Sequence, residues 1–241
     1  MVDNSKLFEK YTLNNKVEVP NLLAVAPLTL FGSNPDGSVS KEEREYLQRR
    51  ATGIGLYILG AEAVSQEGIA FALQPRALSD KDIQPNVERA KIIKDQGALA
   101  INQLFHGGCL ANKKYSGVPA MAICAEVCNK ELEAKGKLNE ENKFTEFSGQ
   151  DIKRIINDFA KATEISLKAG YDGIEIHGAN NFMIQQIFSG YYNKRKDEWG
   201  GSLEKRMKFP LEVVDACCKI REKYNKPEFI IGYRLSPEEP F

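Results

Sequence analysis

The feature that most constrains the fold of this 241-residue chain is a repeated alternation of short apolar runs with amphipathic segments. Five runs have the length and composition of strands, at residues 22–28, 56–59, 98–105, 173–176 and 229–235. Strand, crossover helix and parallel strand form the repeating unit of α/β folds. The pattern therefore predicts a parallel sheet, either closed into an eight-stranded barrel or open and doubly wound. The GxGxxG turn that favours the open sheet is absent from the sequence.

Helix signals fill the segments between these runs. One helix is predicted from a cap at Ser40 to a stop at Gly53, and a second over residues 86–96. The clearest follows a capping box at Ser148, and a fourth is predicted over residues 211–224. The stretch at about 109–147 does not fit the alternation, so we predict a loop or hairpin excursion within a single domain spanning residues 1–241.

Composition narrows the class of function. Thirty-three basic and 33 acidic residues give a formal net charge of zero, without long like-charged blocks, which disfavours binding to nucleic acid or to an anionic membrane. The five cysteines show no CxxC spacing, which favours a reduced cytoplasmic protein over a disulfide framework or metal site. Neither a signal peptide nor a membrane span is visible. We expect a cytoplasmic protein that acts on small molecules, with a homo-oligomer left open.

Both histidines of the chain, His106 and His177, come directly after apolar runs. The carboxyl ends of parallel strands face the ligand in α/β folds, although a packing role is the common alternative for a single histidine. Asn180 follows His177 by three residues, and two neutral donors that converge on one oxygen suit a carbonyl that gains negative charge. Alternatively, Asn180 or Asn181 caps the helix that follows.

Three further polar residues fall within the apolar runs. Gln103 lies in the third run, and Glu175 shares a strand face with His177. Arg234 lies in the fifth run, where a buried guanidinium needs either an ion pair, with Glu175, or an anionic ligand. Thr29, at the end of the first run, is either a helix cap or a ligand contact.

Four segments carry a resemblance to a known family. They are VAPLT at 25–29, AINQLFHGG at 100–108, AGYDGIEIHGAN at 169–180 and NKRKDEWGGSLEKRMKFPLEVV at 193–214. In order and spacing they resemble the old yellow enzyme family of FMN-dependent NAD(P)H oxidoreductases, which are (β/α)8 TIM barrels. The resemblance runs from about residue 7 to the last residue and implies a barrel truncated after the fifth strand, with about five of eight βα units.

The resemblance also implies roles for individual residues. Residues that would contact FMN are Ala26, Pro27, Leu28, Thr29, Ala61, Gln103 and Arg234. Among these, Thr29 would lie near the flavin C4 carbonyl, Gln103 at the pyrimidine edge and Arg234 near N1 and O2. His177 and Asn180 match the catalytic pair that binds the substrate carbonyl oxygen, and Phe31 matches a substrate-facing side chain. NADH or NADPH would donate a hydride, which then passes to an activated alkene such as an α,β-unsaturated carbonyl.

Three departures from the family pattern bear on these roles. Phe182 stands where many relatives have a proton-donating tyrosine. Either Tyr191, Tyr192, Cys109 or water is then the donor, or the preferred reaction is not ordinary alkene reduction. Cys109 replaces an arginine that often follows the HxG sequence. The phosphate-binding loops after strands seven and eight have no counterpart, so an alternative is a non-catalytic or incomplete barrel fragment that binds flavin weakly or not at all. A third interpretation is a flavin-independent lyase that uses His177 and Arg234 on a carboxylate.

The loop that contains DEWGGSLEKR is the last segment assigned from sequence. Within the family resemblance we interpret it as a structural loop whose Glu204 and Arg206 brace the barrel. The sequence does not indicate the physiological substrate or the choice between NADH and NADPH.

Overall fold

The computed structural model describes residues 4–140 and 142–237. Its strands, in chain order, are β1 (Tyr11–Thr12), β2 (Glu18–Val19), β3 (Ala24–Val25), β4 (Leu56–Ala63), β5 (Leu99–Phe105), β6 (Met121–Ala122), β7 (Thr145–Glu146), β8 (Gly173–Gly178) and β9 (Ile230–Leu235). Five of them form one sheet in the order β3-β4-β5-β8-β9, with every neighbouring pair parallel. Each of the five predicted runs overlaps one strand of this sheet, and β4 and β8 extend beyond their runs.

Seven α-helices accompany the strands in the described part of the chain. They are α1 (Lys41–Ala51), α2 (Ile83–Lys94), α3 (Lys113–Ser116), α4 (Ala125–Ala134), α5 (Gly149–Lys168), α6 (Met183–Phe188) and α7 (Leu203–Lys223). Ser40 caps α1 and the capping box at Ser148 begins α5, as predicted. Helix α7 begins eight residues before the predicted start, because Ser202 caps it and Pro210 is accommodated inside the helix.

The predicted excursion is more ordered than a loop or hairpin. Strands β6 and β7 are parallel, not antiparallel, and α4 lies between them in the chain. Asn129 ties α4 to the segment before β7 by exchanging hydrogen bonds with the backbone of Phe144, at 2.8 and 3.2 Å. The excursion is therefore a small β-α-β unit inserted after β5, whose short elements carry too little periodicity to be seen in the sequence.

The two faces of the large sheet differ in what they contact. Leu104 on β5 and Ile174 and Ile176 on β8 pack with α5 and α7 in the main core. Because side chains alternate along a strand, Gln103, Glu175 and His177 lie on the opposite face. The register places Gln103 beside Glu175, and His177 beside Arg234 of β9.

A bulge in β4 changes which residues face the helices. Leu59 pairs with Asn102, but Glu62 pairs with Leu104, so Gly60 and Ala61 together stand opposite Gln103. As a result, Ala61 shares the face of Gln103, while Glu62 faces the helices and accepts a hydrogen bond from Asn102 at 2.8 Å.

Candidate active site

A chain of hydrogen bonds crosses the inner face of the sheet, the face opposite the helices. The Ala61 amide donates to Oε1 of Gln103 at 3.0 Å, and Nε2 of Gln103 donates to the Glu175 carboxylate at 2.7 Å. Gln103 is buried and Glu175 is half-buried. Each end of the Gln103 amide still has one hydrogen-bonding position to offer, since an amide has two N–H groups and its oxygen accepts two bonds.

Arg234, on the neighbouring strand, lies near these hydrogen-bonded residues but forms no ion pair with them. Burial raises the pKa of Glu175, and the charge of Arg234 acts against this rise. Even so, no carboxylate among the described residues lies within 4 Å of the Arg234 guanidinium, so the ion pair with Glu175 is not formed. The partly buried cation is therefore available to an anionic group from outside the described chain.

His177 is held as a neutral hydrogen-bond donor. Burial, with a smaller effect from the charge of Arg234, lowers the pKa of His177 to about 4. Nδ1 accepts a hydrogen bond from the amide of Ala179 at 3.4 Å. In a neutral imidazole this places the proton on Nε2. The side chain can therefore donate to a ligand oxygen at neutral pH without carrying charge.

Asn180 follows His177 in a conformation that a helix cap does not require. Its backbone has φ of 58°, and its amide donates to Oγ of Ser236 at 3.2 Å. Helix α6 begins after Phe182 with no side-chain cap, so neither Asn180 nor Asn181 caps it. Asn180 is exposed, and its side chain makes no hydrogen bond within the described residues. The side-chain amide of Asn180 is therefore available to a ligand.

An aromatic wall lies beside this donor pair. Phe182 stands edge-on to His177, with ring centroids 5.0 Å apart, and edge-on to Phe105 at 4.4 Å. Phe71 contacts Phe105 at 5.8 Å and Phe182 at 6.1 Å, and Phe31 meets Phe71 edge-on at 5.8 Å. Phe31 is 54% exposed, so the wall continues from the sheet to the surface. It provides an apolar aromatic surface for a ring or an alkene.

The segment from Ala26 to Thr29 runs along the edge of the same site. A side chain at Gly60 of β4 would collide with the backbone carbonyl of Leu28, so glycine permits this close approach. Leu28 itself is 59% exposed. Thr29 is not a helix cap, because Ser40 caps α1. The segment thus presents backbone and an apolar side chain beside Ala61.

Backbone strain is concentrated here. Non-glycine residues in the left-handed region are uncommon. Of the seven with positive φ in the described chain, five lie in the site or its loops: Phe31, Ala61, Leu73, Asn180 and Asn181. Such strain persists only where the surroundings enforce it, and it clusters at functional sites.

Other sequence candidates lie elsewhere. His106 faces away from His177, because it follows Phe105 by one residue; its ring contacts Phe147 at 5.7 Å and its Nδ1 accepts from Gly108. Tyr191 and Tyr192 contact each other, and the nearby Glu131 of α4 helps to raise the pKa of both. This places the two tyrosines beside the excursion rather than in the aromatic wall.

The DEWGGSLEKR loop is braced by residues that differ in part from those expected. Arg206 donates to the carbonyls of Phe188 and Gly201, as a brace would. Glu204 is exposed, whereas Asn193 is buried and bonds the carbonyls of Ile187 and Trp199 at 2.6 and 2.8 Å. Sequence reasoning also missed Phe71 and Gln74, whose loop has no periodicity to indicate which side chains turn inward.

Two classes of feature are absent from residues 4–140 and 142–237. No cluster of three or more histidine, cysteine or acidic side chains is arranged to hold a metal ion there. No helix in these ranges is long and apolar enough to cross a bilayer.

Comparison with known proteins identifies the fold and family. Residues 6–241 match the model of the NADH:flavin oxidoreductase / NADH oxidase family. The chain superposes on the crystal structure of Old Yellow Enzyme from Pichia sp. AKU4542 with a TM-score of 0.83 and 26% identity, covering 98% of this chain and 61% of that one. A structure of morphinone reductase in complex with tetrahydroNAD gives a TM-score of 0.81 at 27% identity, with 97% and 64% covered.

Curated relatives agree. The chain is 38% identical to the probable NADH-dependent flavin oxidoreductase YqiG of Bacillus subtilis (strain 168), over 97% of this chain and 60% of the relative. It is 36% identical to NADH:fumarate oxidoreductase of Klebsiella pneumoniae (strain 342), over 99% of this chain and 25% of the relative. The chain thus spans about 60% of YqiG and a quarter of the longer relative, and its sheet is five strands of a TIM barrel. It belongs to the NADH:flavin oxidoreductase / NADH oxidase family, that of the old yellow enzymes.

Proposed function

We propose that this chain forms the FMN- and substrate-binding face of an NAD(P)H-dependent flavin oxidoreductase that reduces activated alkenes, such as α,β-unsaturated carbonyl compounds. The observation that carries the proposal is the state of His177, which is a buried neutral imidazole with its proton on Nε2. It lies next to the aromatic wall and three residues before Asn180, whose side-chain amide has no hydrogen bond to another described residue. Two neutral donors beside an apolar aromatic surface suit a conjugated carbonyl.

The residues on the inner face fit a flavin. Gln103 has one donor and one acceptor position left for the polar edge of an isoalloxazine ring, and Arg234 is a partly buried cation without a counter-ion among the described residues. Ala61 and the segment from Ala26 to Thr29 would line the ring. FMN, when bound, supplies a hydride carrier between nicotinamide and alkene.

The protein groups have separate tasks in this reaction. Nε2 of His177 and the side-chain amide of Asn180 would hold the substrate carbonyl oxygen and stabilise the negative charge that grows on it. Because His177 is neutral, it polarises the carbonyl without first surrendering a proton to it. Phe31 and Phe182 would contact the apolar part of the substrate and exclude water. The proton for the α-carbon must come from water or from another residue, because Phe182 has none to give.

Substrates and location follow as parts of the same proposal. Two relatives are named for fumarate and acrylate, which are conjugated carboxylates, so unsaturated acids are to be tested beside enones. All five cysteines are free thiols, which supports a reducing, cytoplasmic location. The proposed enzyme acts on small molecules and has neither nucleic acid nor a membrane as a partner.

The first test is the colour and reactivity of the purified chain with FMN. We expect a bound flavin whose absorption bleaches when NADH or NADPH is added without oxygen, and returns when an enone is added. A colourless chain that ignores added FMN favours the alternative, a barrel fragment that binds flavin weakly or not at all. The chain's 60% share of YqiG is the observation behind that alternative.

Variants of the donor pair test the assigned roles. His177→Ala and Asn180→Ala should each weaken binding of a phenol ligand about tenfold, which corresponds to one lost buried hydrogen bond. Reduction by NAD(P)H should change much less than reoxidation by enone. Asn181→Ala is the matched control, because Asn181 shares with Asn180 the left-handed backbone and a side chain without a hydrogen bond in the described residues, but is assigned no ligand. Equal losses in both half-reactions, or in Asn181→Ala, would contradict the roles.

A further inference from the structure

Gln74 occupies a position between two walls of the site. Its side chain is buried, and its Nε2 donates to the carbonyl of Ala61 at 2.7 Å. Its Oε1 accepts from the amides of Ala70 and Phe71, at 2.9 and 3.2 Å. Two donors on one side and one acceptor on the other fix the orientation of the Gln74 amide. One side chain therefore joins β4 to the loop that carries Phe71.

Ala61 requires such support. Its φ of 34° lies in a region that side chains other than glycine rarely adopt, and it is buried at the bulge of β4. Gln103 holds its amide and Gln74 holds its carbonyl, so the peptide groups on both sides of the strained residue are fixed. Strain of this kind is maintained only by such over-determination.

The other end of Gln74 sets the position of the aromatic wall. Phe71 is the ring that connects Phe31 to Phe105 and Phe182. Its backbone lies in a loop, where Leu73 also has positive φ. Oε1 of Gln74 accepts a hydrogen bond from the backbone amide of Phe71, so loss of the Gln74 side chain would directly affect the position of the Phe71 ring.

We propose that Gln74 is a positioning residue that couples the Ala61 wall to the Phe71 wall, so that the two surfaces of the site keep one relative geometry. That these surfaces hold flavin and substrate rests on the proposed function. The coupling itself does not, and it can be measured on the chain without any ligand.

The experiment is amide hydrogen exchange, followed by NMR on the whole chain without FMN, in two variants. Gln74→Glu keeps an acceptor for Ala70 and Phe71 but, when ionised, has no donor for the Ala61 carbonyl. Gln74→Met removes both. At pH 7.5 we expect the protection of the Ala61 amide to fall at least about fivefold in both variants. The Phe71 amide should lose protection only in Gln74→Met.

Lowering the pH should restore the hydrogen bond to the Ala61 carbonyl in Gln74→Glu. The introduced carboxyl group of Gln74→Glu can donate to Ala61 again once it is protonated, so the Ala61 protection factor in that variant should rise as pH falls, while that in Gln74→Met stays low. Gln66→Glu is the matched control, because Gln66 lies in the same loop region and donates to a different carbonyl, that of Ser116. Unchanged Ala61 protection in both Gln74 variants, an equal loss at all amides, or the same effect in Gln66→Glu would overturn the coupling.

A second readout tests what the coupling does for the site. If the chain binds FMN, Gln74→Glu should weaken the binding about fivefold at pH 7.5, as measured by flavin fluorescence. When the pH is lowered, the FMN affinity of Gln74→Glu should increase more than that of the unsubstituted chain. Normal FMN affinity together with lost Ala61 protection would show that the clamp exists without serving the cofactor, and would overturn its positioning role. Absence of FMN binding in every variant contradicts the proposed function, and hydrogen exchange alone then decides the coupling.

Discussion

Two consecutive residues of β4 face different buried polar environments on opposite sides of the sheet. Glu62 faces the helices, where Arg89 and Glu43 form a fully buried ion pair at 2.7 Å. Ala61 faces the inner side, where Gln103 and His177 are buried but keep hydrogen-bonding capacity unused. The comparison teaches that burial of polar groups does not by itself mark a site. On the helix side Arg89 pairs with Glu43 and Asn102 bonds Glu62, and the atoms left without a partner, such as Oε1 of Glu62 and Nη1 of Arg89, are enclosed. On the inner side the unused positions of Gln103 and His177 face a site that a ligand can enter.

The largest expected effect comes from breaking the ion pair on the helix side. Arg89→Met should lower the free energy of unfolding by about 3–5 kcal/mol, because it leaves Glu43 buried without its cation. Arg89 also donates to Ser33 and Gly37, both at 2.9 Å, and those bonds are lost too. Urea unfolding measures the loss.

Arg44→Met is the matched control for Arg89→Met. Arg44 pairs with Glu88 on the surface, so its removal should cost less than about 1 kcal/mol. Similar losses in the two variants would remove the distinction between a locked interior pair and an ordinary surface pair.

The second effect concerns Glu62 and pH. Burial raises the pKa of Glu62 from 4.5 to about 7. Since the folded state then binds the proton more tightly than the unfolded state, the free energy of unfolding should fall as pH rises from about 4.5 to about 7, and level off above that. At about 1.36 kcal/mol per pKa unit this amounts to roughly 3 kcal/mol.

Glu62→Gln isolates that contribution. The amide cannot ionise, so the variant should lose this fall in stability and be more stable than the unsubstituted chain at a pH of about 8. Urea unfolding from about pH 4.5 to about pH 8 tests this. Parallel pH curves for the two proteins would show that Glu62 ionises normally in the folded state.

A smaller effect is expected from changing the inner face without disturbing its packing. Phe182→Tyr adds a hydroxyl beside His177 and should speed reoxidation of the reduced enzyme by enones about tenfold or more, if proton supply limits turnover. Phe71→Tyr adds the same group to the same wall farther from the donor pair, and should not. Stopped-flow reoxidation compares them, and an unchanged rate in Phe182→Tyr would mean that another donor already suffices.

The smallest expected effect is a null result at His177. Because the pKa of His177 is lowered to about 4, its protonation state is constant from about pH 5 to about pH 8. Affinity for a neutral carbonyl ligand such as an enone should therefore be flat over this range, as measured by spectral titration. A decrease in affinity below a midpoint near the ordinary value of about 6.5 would show that the imidazole titrates normally and is not held neutral.

Much of this organisation could be predicted from sequence, for physical reasons. Strands buried on both faces give continuous apolar runs, so the sheet and the positions of Gln103 and His177 could be predicted from the sequence. Strand parity could also have separated His106 from His177, since Gln103 and His106 are an odd number of residues apart. By contrast, the left-handed backbone of Ala61 and the clamp at Gln74 depend on contacts between segments and leave no periodic signal. The early start of α7 was hidden by Pro210, which usually ends a helix rather than lying within it.

The bulge in β4 has a consequence for mutation by deletion. Along a regular strand, residues 57, 59 and 61 would share the helix-facing side, and Glu62 would project into the site. The extra residue at 60–61 reverses that phase for the remainder of the strand. Loss of the single codon for Gly60 would therefore remove the bulge without turning the strand over, because Ala61 would then stand opposite Gln103 and Glu62 would keep its place opposite Leu104. In the chain without this deletion it is the bulge that absorbs the extra residue and keeps the Glu62 carboxylate on the helix-facing side of the sheet.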